Sequence, residues 1–400
     1  MGTPVADMLA HSPPFPLVID FFQRDITVED EEGIVLALEQ RDRIRRIRLE
    51  IPLQNLQKLI PSIDEEYPIL EYLTMAPLFS DKSASLKIPP TLRAPHLRHL
   101  GLFGFALPRV SQLLTTAVDL VTLCLAMADP STYFQPTILL QWIASMPQLT
   151  TLVVLFYFPV PNLNVERDLL RMPFTGHIVL PNLRHFWFRG ASAYVEAVVR
   201  RITAPRLQKL QMLFFEQLTF SIPHLVQFIN STENLRFSEA KLKFSDEHVD
   251  VEVYPREEAE TEMYAFHIRV HCWHLDWQVS SVAQIFHALS QRFSAVEHLT
   301  LEHEIHSQSF EEHNDVDRTE WHKLFKPFIN VRTLFIDDGL VKELVRCLQS
   351  EDGEDPSELL LPELQEVIYS GSGDTDDAFT SFINVRQSSG HPVTLVLVPS

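Results

Sequence analysis

The stretch Leu180-Pro-Asn-Leu-Arg-His-Phe-Trp-Phe-Arg189 contains the pattern that decides the fold. After a proline, apolar residues follow the spacing apolar-x-x-apolar-x-apolar at Leu183, Phe186 and Phe188. The same pattern, with its proline, recurs at 95–102, 147–154, 205–212 and 362–369. Because alternate side chains of a strand point to opposite faces, the last two apolar residues face one side and the residue between them faces the other.

Further copies of the pattern fill most of the chain. Variants occur at 44–49, 70–75, 120–125, 296–301 and 331–336, and weaker copies occur at 237–242 and 268–270. Successive copies from 44 to 207 begin 26, 27, 23, 29, 34 and 24 residues apart. This spacing is the strand core of a leucine-rich repeat. We therefore predict an α/β fold: a leucine-rich-repeat solenoid whose curved parallel sheet is backed by helices, with irregular repeats of about 23–35 residues.

We expect one leucine-rich-repeat domain over residues 1–400. Residues 1–42 are predicted to form an N-terminal cap of helix, strand and helix, 43–245 a first repeat block, and 276–400 a second block with a C-terminal cap. Segments 248–254 and 266–273 alternate across an acidic turn, which predicts a hairpin-like insertion over 246–275. The proline before each motif is expected to begin the strand, where its missing N–H is not needed.

The composition argues against several functional classes. Hydrophobic residues make up 46% and charged residues 22% of the chain, which is typical of globular proteins. Only 11 glycines occur against 27 prolines, which argues against a glycine-rich phosphate loop. A net charge of −20 does not suit a nucleic-acid binder. Most of the acidic excess lies in 246–262, 302–320 and 351–358, which we interpret as solvated loops or, alternatively, an acidic docking surface.

The cysteine and hydropathy patterns bear on the compartment. Three widely spaced cysteines, at 124, 272 and 347, support neither a disulfide framework nor a cysteine-based zinc site. No basic segment precedes an apolar one at the start, and the longest apolar stretch is short. We expect a cytoplasmic or nuclear protein with no membrane partner.

Candidate binding residues come from the x positions of the strands. Up to residue 271 these positions hold seven Lys or Arg against two acidic residues, and after residue 290 they hold three acidic residues and no Lys or Arg. This predicts a basic groove with aromatic anchors that binds an acidic or phosphorylated protein segment, although solvated strand positions that happen to be basic are the alternative. The predicted partner-binding residues are Arg46, Arg48, Tyr72, His99, His185, Trp187, Arg189, Lys209, Lys241, Lys243 and Arg269.

Patterns for catalysis or cofactor binding are weak. The sequence His303-Glu-Ile-His306 does not have the zincin spacing, and the stretch 370–377 lacks the Gly-Lys-Ser/Thr ending of a phosphate loop. Cys347 lies in an apolar periodic run, which favours a buried structural thiol. We therefore predict no enzymatic activity, no cofactor and no metal.

Several strings resemble one family. The opening 6–20, Ala-Asp-Met-Leu-Ala-His-Ser-Pro-Pro-Phe-Pro-Leu-Val-Ile-Asp, is similar to the helix–Ser–Pro-Leu–strand junction of F-box proteins from mushroom-forming fungi. The strings 180–186, 203–210, 297–302 and 369–374 resemble the leucine-rich repeats of those proteins. In that family an F-box binds the Skp adaptor of a cullin–RING ubiquitin ligase, and the repeats bind the substrate.

The resemblance implies the substrate-recognition half of such a receptor. No Leu-Pro-x-Glu-Ile-type helical segment is present, so a Skp partner is expected only if an F-box precedes residue 1 in the native product. The alternative is a leucine-rich-repeat scaffold or inhibitor without a ligase link.

Overall fold

A computed structural model describes residues 5–11, 13–23, 25–78, 86–108, 111–158, 176–215, 220–255, 264–304, 316–348, 360–370 and 379–398. The chain divides into two compact units, Met1–Leu207 (unit 1) and Gln208–Ser400 (unit 2), and the single domain expected over residues 1–400 stays a prediction. Each unit contains a mostly parallel sheet and helices that pack on it. The predicted parallel sheet with backing helices is confirmed.

Unit 1 alternates strands with helices. Its strands are β1 Leu17–Phe22, β2 Ile44–Pro52, β3 Tyr72–Leu78, β4 Leu86–Lys87, β5 His99–Phe103, β6 Phe105–Ala106, β7 Thr122–Met127, β8 Thr151–Phe156, β9 Ile178–Val179, β10 His185–Gly190 and β11 Ile202–Thr203. Its helices are α1 Val5–His11, α2 Val28–Leu38, α3 Leu53–Leu59, α4 Gln112–Thr116, α5 Pro136–Ile143 and α6 Ser192–Val199. Strands β1, β2, β3, β5, β7, β8 and β10 form the main sheet in that order, and all neighbours are parallel.

The motif copies lie side by side in register in unit 1. Leu73 of β3 is opposite Leu100 of β5, and Leu123 of β7 is opposite Leu152 of β8, which in turn is opposite Phe186. These residues are at most 2% exposed, so equivalent motif positions of successive copies form one continuous apolar layer.

The proline of each motif lies in a turn before the strand rather than in the strand. The Leu183 N–H donates to the Leu180 carbonyl at 3.3 Å, and the Leu97 N–H donates to the Ala94 carbonyl at 3.1 Å, so the proline occupies the second position of a β-turn. Proline fits that position because its ring fixes φ near the value that the turn requires. The prediction that the proline begins the strand is therefore wrong, because the proline lies in the turn before the strand.

A second backbone ladder links successive copies at these turns. The Val121 N–H donates to the Arg98 carbonyl, the Thr150 N–H to the Val121 carbonyl and the Arg184 N–H to the Thr150 carbonyl, each at 2.8 Å. Each strand therefore begins at a position fixed by the preceding copy.

Helix α2 begins with a capping box, in which the Thr27 hydroxyl accepts from the Asp30 N–H and the Asp30 carboxylate accepts from the Thr27 N–H.

Unit 2 contains eight strands and six helices among its described residues. The strands are β12 Lys209–Phe214, β13 Glu239–Ser245, β14 His248–Tyr254, β15 Phe266–His271, β16 His298–Glu304, β17 Thr333–Ile336, β18 Glu366–Ser370 and β19 Thr394–Val398. The helices are α7 Pro223–Asn230, α8 Leu275–Ala288, α9 Ser290–Phe293, α10 Arg318–Phe325, α11 Asp338–Leu348 and α12 Thr380–Ser388. The sheet order is β12-β15-β14-β13-β16-β17-β18-β19.

The predicted hairpin-like insertion is part of this sheet. Strands β14 and β15 are antiparallel, as predicted, but β15 pairs in parallel with β12 and β14 pairs with β13. Strand β14 is therefore an internal strand of the sheet, and its polar residues lie beside those of the repeat strands. Most of the predicted acidic turn between the two strands, and all of 351–358, lie outside the described residues.

Two arginines of unit 2, one buried and one half-buried, each bind a cluster of backbone carbonyls. Arg386 of α12 has no exposed surface, and Arg292 lies in α9. Each guanidinium donates to four backbone carbonyls, which for Arg386 are Leu360, Leu361, Pro362 and Leu364 and for Arg292 are Ile229, Asn230, Thr232 and Leu235. These bonds satisfy carbonyls in turns and at the end of α7 that have no helix or strand partner of their own to complete their hydrogen bonding. Within the described ranges, no helix has the length and apolar character needed to cross a membrane.

The register can be tested at Leu183, which is fully buried. Leu183→Ala removes core side-chain volume and should lower the free energy of unfolding by about 2–5 kcal/mol, measured by urea denaturation. The control Arg184→Ala, at an exposed position just before the next strand, should change it by less than about 0.5 kcal/mol. An unchanged midpoint for Leu183→Ala would mean that the proposed register is wrong.

Candidate functional site

The predicted binding residues all lie on strands at positions that alternate with the core. In unit 1 these are Arg46, Arg48, Tyr72, His99, His185, Trp187 and Arg189, and in unit 2 they are Lys209, Lys241, Lys243 and Arg269. Each is half-buried or exposed, while its neighbours in the strand are mainly buried. We call these two surfaces the outward face of unit 1 and the outward face of unit 2.

The cations of β2 are paired with acidic neighbours. The Arg46 guanidinium lies 3.4 Å from the Asp20 carboxylate and over the Tyr72 ring, 4.3 Å from its centroid. Arg48 donates to the Glu50 carboxylate at 2.6 Å. Asp20 was absent from the predicted face, although β1 lies directly beside β2. These two arginines therefore do not form an uncompensated basic patch.

The next four strands have no charged residue on the outward face. Their outward positions form two rows across β3, β5, β7 and β8, which we call the neutral strip. One row is Tyr72, His99, Thr122 and Thr151, and the other is Thr74, Gly101, Cys124 and Val153. Burial lowers the pKa of His99, so its imidazole is uncharged at neutral pH. A Cβ at Gly101 would come within 3.0 Å of the Thr74 hydroxyl, so the floor of the strip is closely packed.

Strand β10 borders the neutral strip with an aromatic and a cationic residue. Trp187 stands opposite Val153, and Arg189 lies over the exposed Tyr157 ring, 4.6 Å from its centroid. The Trp187 side chain is half-buried, and its indole N–H is buried without a hydrogen-bond partner among the described residues.

The outward face of unit 2 is a network of alternating charges. Arg269, Asp250, Lys243 and Glu302 stand opposite one another on β15, β14, β13 and β16. Lys243 lies 3.0 Å from Glu252, and Lys241 lies 2.5 Å from Glu302. Lys209 lies over the Tyr264 ring, 4.2 Å from its centroid, and burial lowers its pKa.

Asp250 is the centre of that network. Its carboxylate is 4% exposed and accepts from Arg269 Nε at 2.7 Å and Arg269 Nη2 at 2.8 Å. His267 Nε2 and His248 Nε2 lie 2.8 and 3.1 Å from the same carboxylate. Burial alone would raise the pKa of Asp250, but the hydrogen bonds from His248, His267 and Arg269 hold it well below its usual range.

These pairs change the predicted charge balance. The predicted count of seven cations against two acidic residues did not include β14, because that strand was expected to lie in an insertion. The count therefore omitted Asp250 and Glu252. The alternation of His248, Asp250 and Glu252 with buried valines was a signal that could have placed both carboxylates on this face. Partner binding by the eleven predicted residues stays a prediction, but a continuous basic groove does not describe their surroundings.

Among the described residues, the other candidate sites do not bring together side chains suited to catalysis or metal binding. Across the described part of the chain, no group of three or more His, Cys, Asp or Glu side chains could hold a metal ion. His306 and residues 371–377 lie outside the described residues. Cys347 is buried, as predicted, and burial raises the pKa of the half-buried Cys124 to about 11, so neither thiol is an activated nucleophile.

Comparisons with known proteins do not assign a family. No protein-family model matches the chain, and no curated protein is significantly similar to it in sequence. The resemblance to fungal F-box proteins therefore depends on the motif strings themselves.

The Asp250 network should control acid stability. Asp250→Asn leaves Arg269 and two histidines without their carboxylate and should lower the free energy of unfolding by about 3–5 kcal/mol. Because the folded pKa of Asp250 is depressed, its contribution is present above the unfolded pKa of about 3.9 and is lost as pH falls below it. Urea denaturation between pH 7 and pH 3 measures both effects.

The matched control is Glu239→Gln on the adjacent strand, where the carboxylate is exposed. It should change stability by less than about 0.5 kcal/mol. Equal losses for the two variants, or an Asp250→Asn variant as acid-sensitive as wild type, would show that the network does not stabilise unit 2.

Proposed function

We propose that this protein is a non-enzymatic protein-interaction module of the leucine-rich-repeat type, and that it serves as the substrate-recognition region of an F-box-type receptor of a cullin–RING ubiquitin ligase. The observation that carries the interaction role is the neutral strip. In a chain with 22% charged residues, the outward positions of four successive strands hold none, and most of them are half-buried. Depletion of charge at the centre, with Trp, Tyr and Arg nearby, is typical of protein interfaces.

The strip also indicates how a partner would bind. A segment lying across β3, β5, β7 and β8 would place uncharged side chains against Thr74, Gly101 and Cys124 and reach the half-buried Trp187 ring at the β10 end. An acidic or phosphorylated residue at the β10 end would meet Arg189. Arg46, Arg48, Lys241, Lys243 and Arg269 already have acidic neighbours, so a long basic groove is not expected to attract acidic segments.

The ubiquitin-ligase role is supported by sequence resemblance and not by the neutral strip. It rests on the resemblance of the opening segment and the repeats to fungal F-box proteins, and the interaction role does not require it. A scaffold or inhibitor without a ligase link would use the same face.

A pull-down of the full-length native product separates the two roles. Recovery of the Skp adaptor and a cullin, unchanged by Trp187→Ala, would support the receptor role, because the adaptor binds an F-box rather than the repeats. Consistent absence of both proteins, with other partners retained, would leave the scaffold or inhibitor.

Binding by the outward face of unit 1 is tested with variants of β10. Trp187→Ala should weaken binding of a recovered partner at least about tenfold, mainly through faster dissociation, because a desolvated aromatic anchor is lost. Arg189→Glu should mainly slow association, and the difference from wild type should shrink as salt rises. Surface plasmon resonance across a salt series measures both rates.

The surroundings of Arg184 and Arg269 decide which of the two can be used as a control. Arg184→Glu makes the same charge change at an exposed position just before β10 and should leave affinity near the wild-type value. Arg269→Glu is unsuitable as a binding test, because it would place a second carboxylate against the buried Asp250. Wild-type rates for Trp187→Ala and Arg189→Glu at every salt concentration would reject this face as the interface.

A further inference from the structure

Helix α8 carries an exposed stripe on the side away from its core residues. Trp277, Ser280, Gln284 and His287 follow helical spacing along one face and are exposed or half-buried, whereas Val279, Val282, Ile285 and Phe286 on the other side are fully buried. Trp277 is 43% exposed. Large exposed aromatic side chains of this kind are enriched at protein interfaces.

This stripe borders a groove between α8 and α10. The groove has a volume of about 510 Å³ and is lined by Ser280, Ala283, Gln284, His287, Glu320, Lys323 and Lys326. The two helices pack against each other within unit 2. Helix α8 precedes β16 and helix α10 precedes β17, and these two strands are parallel, so the two helices run in the same general direction.

The groove is locally positive although the whole chain has a net charge of −20. Lys323 is exposed and its ammonium lies 2.6 Å from the Glu320 carboxylate. Lys326 is also exposed, and its side chain makes no hydrogen bond or ion pair with any part of the chain that the structure describes. The exposed His287 side chain likewise has no such partner within the described ranges. Lys326 and His287 therefore present donors that the described part of the chain leaves available.

We propose that the groove between α8 and α10 is a second docking surface, which binds an acidic amphipathic helix of another protein. The partner places an aromatic or aliphatic side chain against Trp277 and carboxylates against Lys323 and Lys326. From Trp277 to His287 the stripe is about 15 Å long, which about ten residues of a helix match. The outward faces of the two sheets are not involved, so this docking surface is independent of the function proposed above.

The test uses a defined probe with the full-length chain. Random peptides of about twelve residues, displayed on phage, are selected on the wild-type protein, and the selected peptides are synthesised and titrated by fluorescence anisotropy. We expect enrichment of Asp and Glu together with aromatic or large aliphatic residues. Affinity should fall at least about tenfold for Trp277→Ala and for the double variant Lys323→Glu, Lys326→Glu.

Matched controls separate the groove from general charge and exposure effects. Lys87→Glu changes an exposed lysine of unit 1, and Phe22→Ala removes an aromatic side chain that is 60% exposed there. Both should bind the selected peptides as wild type does, and the double lysine variant and Lys87→Glu should keep the wild-type midpoint of urea unfolding.

A selection repeated on the lysine-reversal variant gives the sharpest comparison, because it should enrich basic peptides instead. Peptides without acidic enrichment, peptides that bind all four variants equally, or no peptide above background would each overturn the proposal.

Discussion

The packing of Leu183 and its equivalents fixes almost everything else in this protein. A shift of one residue along a strand moves every side chain to the opposite face, so the buried motif positions permit a single register. In β10 that register puts Phe186 and Phe188 in the core and Trp187 and Arg189 on the outward face. The backbone ladder between successive turns repeats the same constraint, because it sets where each strand begins relative to the previous one.

Strand β14, which does not follow the repeat pattern, changes the charge balance on the outward face of unit 2. Where β14 enters between β13 and β15, it brings Asp250 and Glu252 into a row of cations. A buried carboxylate needs several donors, and Arg269, His248 and His267 provide them. The two units therefore differ in character: unit 1 has an uncharged strip bordered by Trp187, and unit 2 has an ion-paired surface that contributes to stability.

The sequence predicted which side of each strand faces the core, because that depends only on the local alternation of apolar residues. It did not predict strand neighbours that are distant in sequence, so Asp20 and Asp250 were missed as partners of Arg46 and Arg269. The role of Arg386 was missed for a similar reason, since four carbonyls converge on it only after α12 packs against a turn. The outward position of the candidate residues was thus predicted, the ion pairs around them were not, and their role in binding stays a prediction.

The interaction role depends on outward residues that remain accessible beside a tightly packed core. Cysteine scanning of β10, with Cys124 replaced by serine, tests that arrangement most directly. We predict that cysteines at 185, 187 and 189 react readily with a maleimide and that cysteines at 186 and 188 react at least about 100-fold more slowly, because their labelling requires local unfolding. Equal rates along the strand, or the opposite alternation, would contradict the account.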